Sequence, residues 1–170
     1  MKFTSILDFI FLIYFVVHIP VAIFIDSQAI FPKWIYPGVV VDLMDWYCRE
    51  FKDPMMVESP AWFKSFICCE VLFQLPFFFV AVYAFSKGVN RCPWIQRPML
   101  IYAAHTATTT ICIAFHLFLN DFSTSKYPGP TTVNERLKLF AIYSPFLLIP
   151  LLLLVNFAFR KFPKEKLKKR

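Results

Sequence analysis

Apolar residues in this chain gather into four long blocks, 5–25, 61–85, 98–119 and 137–159. Each exceeds the roughly 18 residues that mark a candidate spanning helix once isolated polar positions are allowed. A water-soluble helix of that length would meet charged residues at every turn, and the two-residue alternation of membrane-barrel strands is absent. The pattern predicts an all-α fold: a polytopic membrane protein built as a four-helix transmembrane bundle with a structured first loop. That loop, 26–60, is too long and too apolar for a linker. Over 39–51 the residues Val40, Leu43, Met44, Tyr47 and Phe51 trace one apolar stripe and predict a short helix. Asp53-Pro54 then reads as a helix start, with Asp at the N-cap and Pro at the first helical position, which gives Asp53 a structural role. The loop is expected to act as a lid on one mouth of the bundle. The third loop, 121–135, contains Pro128-Gly129-Pro130 and reads as an ordinary turn.

Charge gives the orientation. The second loop carries Lys87, Arg91 and Arg97 with no acid, and the stretch after the fourth block, 160–170, carries seven basic residues against Glu165 alone. The first loop mixes both signs. The positive-inside rule therefore predicts cytosolic termini and lumenal first and third loops. Two units follow: a membrane domain over 1–160 and a basic cytosolic tail over 161–170. The net charge of +7 belongs mostly to that cytosolic side, where it suits anionic lipid and gives no reason to expect nucleic acid. The first block is too long for a signal peptide's apolar region, no small-residue cleavage site follows it, and it reads as a signal anchor. Of 5 cysteines, only Cys48 is expected in the lumen, so no intramolecular disulfide is expected there. There is no Asn-x-Ser/Thr sequon. The three histidines share no i, i+4 face, and neither a metal nor a cofactor is expected. Lys166 and Lys168 form a KxKxx pattern near the carboxyl end, resembling the retrieval signal of endoplasmic-reticulum membrane proteins.

Candidate chemistry lies inside the blocks. Glu70 and Gln74 stand four apart in the second, hence on one helical face. Lipid does not host a carboxylate cheaply, so Glu70 must face protein or a polar cavity. Asp26 ends the first block and His18 lies two turns before it. Pro20, Pro76, Pro145 and Pro150 each remove an intrahelical hydrogen bond. Kinked helices carrying acids predict a bundle bowed around a chamber, and with 19% aromatic residues that chamber should suit flat apolar ligands. Two carboxyls brought close together in a dry space do not both ionise readily, so were Glu70 and Asp26 to meet, the deeper Glu70 would hold the proton and Asp26, near the lumenal mouth, the charge.

Several segments then carry a resemblance. Trp46-Tyr47, Glu50-Phe51-Lys52-Asp53-Pro54, Trp62-Phe63-Lys64-Ser65-Phe66 and Cys69-Glu70-x-x-Phe73-Gln74-Leu75-Pro76, with His18-Ile19-Pro20, His105-Thr106-x-Thr108-Thr109, Asn134-Glu135-Arg136-Leu137 and Leu148-Ile149-Pro150, are similar to the sigma-2 receptor branch of the emopamil-binding (EXPERA-domain) family. The resemblance covers essentially the whole chain. It implies an endoplasmic-reticulum membrane protein, with the nuclear envelope and endolysosomal membranes as further locations, usually a homodimer. It implies binding of sterols, oxysterols and cationic amphiphilic molecules, and a part in cholesterol trafficking with the Niemann–Pick type C transporter. By position, Asp26 would pair with a ligand amine and Glu70 would hydrogen-bond to Asp26, while His18, Tyr47, Met56, Gln74, Thr109 and Tyr143 would line the chamber. Related isomerases use a His and a Glu one turn apart where this chain has Glu70 and Gln74. An amide is no general base, so a receptor is expected rather than an enzyme. Sterol isomerisation and a purely structural role as a transporter's assembly partner are the alternatives.

Overall fold

The computed structural model describes residues 6–123 and 127–162. Among the described residues all regular structure is helical: α1 Ile6–Phe24, α2 Gly38–Phe51, α3 Pro54–Glu58, α4 Ala61–Cys69, α5 Leu75–Lys87, α6 Gln96–Leu119 and α7 Val133–Phe159. Four stretches are long and apolar enough to cross a membrane: Ile6–Ala29, Ala61–Lys87, Pro93–Leu119 and Val133–Phe159. These are the four predicted blocks, each extended by a few residues. The Lys166/Lys168 pattern lies outside the described residues.

α4 and α5 form one spanning rod joined by a π-helical turn, Glu70–Gln74. Pro76, in the first turn of α5, offers no N–H to the Leu72 carbonyl, and the wider i→i+5 turn takes up the misfit. The proline kinks alone did not predict this turn. Pro150 in α7 frees the carbonyl of Phe146, which instead accepts the Thr110 hydroxyl at 3.2 Å.

α1 packs along α5 and α6 packs along α7, whereas α1 and α7 touch little. Lipid tails are as apolar as side chains, so van der Waals fit rather than water exclusion holds these pairs. Two apolar cores result. One, toward the termini, gathers Phe11, Phe15, Phe78, Phe85, Met99, Tyr102 and Phe157. The other, toward the long loops, gathers Met55, Phe63, Ile67, Leu117, Phe122 and Leu139. Along the α4–α5 rod the polar residues of the π turn lie between them.

At the loop end, α2 begins one residue before its predicted start. Asp53 caps α3: its Oδ1 accepts the N–H groups of Met55 at 3.0 Å and Met56 at 3.2 Å. Asp53 is wholly buried, and its Oδ2 also accepts the hydroxyls of Tyr47 at 2.8 Å and Tyr143 at 2.7 Å. One carboxylate thus ties α2, α3 and α7 together. Lys138 donates to Glu50 at 2.5 Å, and Lys52 donates to Glu135. Glu135 is also the acidic member of the capping box that starts α7 at Thr132.

At the terminal end, Arg160 grips Asp8 through two parallel bonds of 2.7 Å. It also donates to Asn90 at 3.0 Å and Asn156 at 3.1 Å. Asp8 is 2% exposed, so this fork closes the bundle by linking α1, the second loop and α7. The sequence reading counted Arg160 only as one of many basic residues; nothing local marks its partner.

Candidate functional site

Between the two cores lies a small chamber lined on one side by His18, Asp26, Glu70 and Gln74 and on the other by Thr106, Thr109, Thr110, Tyr143 and Phe146. Its floor is apolar, from Phe63, Phe66, Ile67 and Ile113 of α4 and α6. Six of the eight expected ligand residues meet there. Tyr47 and Met56 do not line it; the Tyr47 hydroxyl and the Met56 N–H are both spent on Asp53.

His18 is 4% exposed. Its ring stacks on Phe78 at 4.4 Å and tilts against Phe146 at 4.7 Å. Its Nε2 lies 2.9 Å from Glu70 Oε1, while Nδ1 is buried with no hydrogen-bond partner. The Glu70 bond therefore goes to His18, where Asp26 was expected. Asp26 is close all the same: one ligand-type atom from each of His18, Asp26 and Glu70 lies within 4.8 Å of the others. An ammonium centred there would meet two carboxyl groups and an imidazole. The same donors are of the types that bind a divalent cation, and sequence spacing hides the set because it comes from two helices and the end of the first span.

Gln74 Oε1 accepts the Thr106 hydroxyl at 3.0 Å, and Gln74 Nε2 lies 3.2 Å from His105 Nδ1. Both ends of the amide are engaged, so it is a fixed wall element. Thr109 gives its hydroxyl to carbonyls of its own helix, Thr106 at 3.0 Å and His105 at 3.3 Å. Thr106 and Thr110 were passed over. The polar run His105-Thr106-Ala107-Thr108-Thr109-Thr110 inside an otherwise apolar block was the available signal.

The chamber's free space measures about 80 Å³, enough for a few ordered waters. Larger space adjoins it. Where α1 and α7 diverge, an apolar groove of about 530 Å³ runs between Ile10, Ile13, Val17 and Ile149, and it shares His18 and Phe146 with the chamber.

Outside the spans, burial pushes the Asp53 carboxyl above its usual range, against the four bonds it accepts. Burial likewise pushes the Tyr47 hydroxyl up, with Asp53 adding to the effect, and lifts the Cys48 thiol to about 12. Neither the Cys48 thiol nor the Tyr47 hydroxyl is therefore poised as a nucleophile at neutral pH.

Comparison with known proteins fits this geometry. The family model described as EXPERA (EXPanded EBP superfamily) matches residues 39–157, which takes in the capped lid, the π turn and the Thr run. Sigma intracellular receptor 2 of Xenopus tropicalis is 46% identical over 165 residues, 96% of this chain and 95% of that relative. The Homo sapiens protein of the same name is 50% identical over 146 residues, 84% of this chain and 82% of its own length. Efficient mitochondria targeting-associated protein 19 of Saccharomyces cerevisiae is 29% identical over 146 residues, 83% of this chain and 91% of that protein. A family model that covers most of the chain and relatives of 46% and 50% identity over most of its length together show that the chain belongs to the EXPERA family.

Proposed function

We propose that this protein is an intracellular membrane receptor, resident in the endoplasmic reticulum, that binds sterols, oxysterols and cationic amphiphiles within its helix bundle and contributes to cholesterol trafficking. The observation that carries this reading is the cluster of His18, Asp26 and Glu70, two carboxyls and an imidazole within 4.8 Å of one another, set against rings of Phe78 and Phe146. Similarity to proteins named Sigma intracellular receptor 2 supports it. An ammonium group replaces the water that the small chamber can hold and pairs with Asp26, while Glu70 supplies a hydrogen bond. The apolar body of the ligand fills the groove between α1 and α7, reached past His18 and Phe146. A sterol uses the same groove with its hydroxyl among the chamber's polar atoms. Homodimerisation and association with the Niemann–Pick type C transporter belong to the same reading.

A second reading has one observation in its favour. The contact of 2.9 Å between His18 and Glu70 assembles, across two helices, the His and Glu that the related isomerases place on one. Gln74, bound at both ends to Thr106 and His105, has no basic lone pair to take a ring proton. We therefore read the site as binding without isomerisation. The test uses purified protein, a labelled cationic amphiphile and Asp26→Asn. Loss of the anion should weaken the amine by roughly 2–5 kcal/mol on buried-pair precedent, which is roughly 30- to 5,000-fold, while neutral sterols hold. Retained amine affinity in a folded variant would refute the assignment. Turnover of a sterol isomerase substrate, lost on Glu70→Gln, would make the protein an enzyme.

A further inference from the structure

Between α5 and α6 the chain runs through two short 3₁₀ turns, Val89–Arg91 and Pro93–Ile95. Gly88, with φ 93°, ends α5 and opens this segment. Burial along it repeats with the three-residue period of a 3₁₀ helix. Val89, Cys92 and Ile95 are at most 1% exposed, Asn90, Pro93 and Gln96 are half-buried, and Arg91, Trp94 and Arg97 are exposed. The half-buried row clamps the segment to α7: Asn90 accepts from Arg160 Nε at 3.0 Å, and Gln96 donates to the Phe157 carbonyl at 3.0 Å. The outward row is therefore an arginine, an indole and an arginine on a fixed backbone. Among the described residues neither Arg91 nor Arg97 stands in an ion pair. Lys87, the last residue of α5, adds a third cation, near enough to Arg91 for the two charges to oppose each other.

The spans Ala61–Lys87 and Pro93–Leu119 end and begin here, which sets the row at the headgroup boundary, where an indole keeps its ring in lipid and its N–H among polar groups. Orienting a membrane protein needs only positive charge, which a mobile lysine supplies; two guanidinium forks on a docked backbone supply geometry as well. Such a fork matches two oxygens of one phosphate. A phosphate monoester offers a charge of about −1.5 to −2 with no cation attached, whereas a serine headgroup carries its own ammonium, which Arg91, Arg97 and Lys87 repel. We infer that the row Arg91–Trp94–Arg97 is a binding surface for an anionic phospholipid whose headgroup bears a phosphate monoester, as a phosphorylated inositol lipid does. The guanidinium groups hold the phosphate oxygens and Trp94 lies against the glycerol region. The surface uses no group of the chamber, and its place at the end of the bundle leaves it open in a dimer paired along the spans.

The experiment uses the full chain in phosphatidylcholine nanodiscs doped with phosphatidylinositol 4-phosphate or with phosphatidylserine at matched total charge, and reads the lipid retained on the protein by mass spectrometry. Unaltered protein should favour the inositol phosphate lipid by about tenfold, the worth of one charge-assisted bond. Arg91→Gln and Arg97→Gln should each weaken it about fivefold, with melting temperature unchanged because both side chains are exposed. Replacing both arginines by lysine keeps the charge and removes the forks, so anionic lipid in general should still be retained while the preference between the two headgroups falls away. Soluble inositol 1,4-bisphosphate should displace the lipid from unaltered protein and inositol should not, which tests the surface without any variant. Asp26→Asn should change none of this, so the amine reading can fail while this one stands, and the reverse. Equal retention of the two lipids by unaltered protein overturns the inference. So does a preference that survives the double Gln variant, which would place the binding in the basic tail, or one that survives the double Lys variant, which would reduce the row to point charges. Failure of the soluble headgroup to compete overturns it as well.

Discussion

Replacing Asp53 with Ala removes one side chain that serves three helices. In the folded protein its two oxygens accept the N–H groups of Met55 and Met56 and the hydroxyls of Tyr47 and Tyr143. Loss of an N-cap costs about 0.5–2 kcal/mol. Two buried hydroxyls left without their acceptor cost about 1 kcal/mol each at the low end. The sum is about 3 kcal/mol, a sizeable part of the roughly 5–15 kcal/mol that folded domains possess. For a chain of this length 1 kcal/mol moves the melting temperature by about 2–4 °C, so Asp53→Ala should melt about 6–12 °C lower in nanodiscs without ligand. Tyr47→Phe and Tyr143→Phe each remove one of the four bonds and should each give about a third of that loss. Amine affinity should fall less than tenfold, through loosening of the lid alone. An unchanged melting temperature with collapsed amine affinity would refute the reasoning and make Asp53 a ligand contact.

Two further predictions use the ends of the bundle. Burial raises the Asp53 carboxyl above its ordinary range, so the folded state holds this proton more tightly than the unfolded state. Stability should then fall as pH rises through the window above the usual Asp value of about 3.9. Asp53→Asn keeps a capping oxygen but cannot titrate, and its melting temperature between about pH 4 and 7 should lack that decline; superimposable curves would disprove the link. At the other end, Arg160→Ala takes the guanidinium away from the buried Asp8 carboxylate and should cost about 3–5 kcal/mol, whereas Arg160→Met with Asp8→Asn should cost markedly less. Equal melting temperatures for the two variants would count against the fork as a buried pair.

What the chain discloses by itself follows from which forces are local. A spanning helix must satisfy every backbone group internally, so its length and composition are written in consecutive residues, and the four blocks read directly. The lid helix and the Asp53-Pro54 start are equally local, since a stripe and a cap need only a few neighbouring positions. Pairings between helices are different. Whether Glu70 meets Asp26 or His18 depends on how α1 is rotated against the π turn, and no spacing within either segment encodes that angle. Asp8 and Arg160 stand 152 residues apart, and only the closed bundle brings them together. The size of the chamber is not legible in the sequence for the same reason: proline positions tell where helices bend, and side-chain packing decides how much space the bends leave.

The π turn has a consequence for how this helix can vary. A π turn fits one residue more than an α turn into a single turn of backbone. Deleting one position among 71–73 would let the rod close toward continuous α-helix with the residues beyond it facing as they do now, Phe78, Ala81 and Phe85 in the core and Phe79, Val80 and Tyr83 toward lipid. The same deletion made within α5, beyond the turn, would rotate all that follows by 100° and carry buried rings out of the pairing with α1. Every residue involved is apolar or aromatic, so a hydropathy profile would register almost no difference between the two deletions. The turn is where this rod can absorb a change in length, and the regular helix after it is where it cannot.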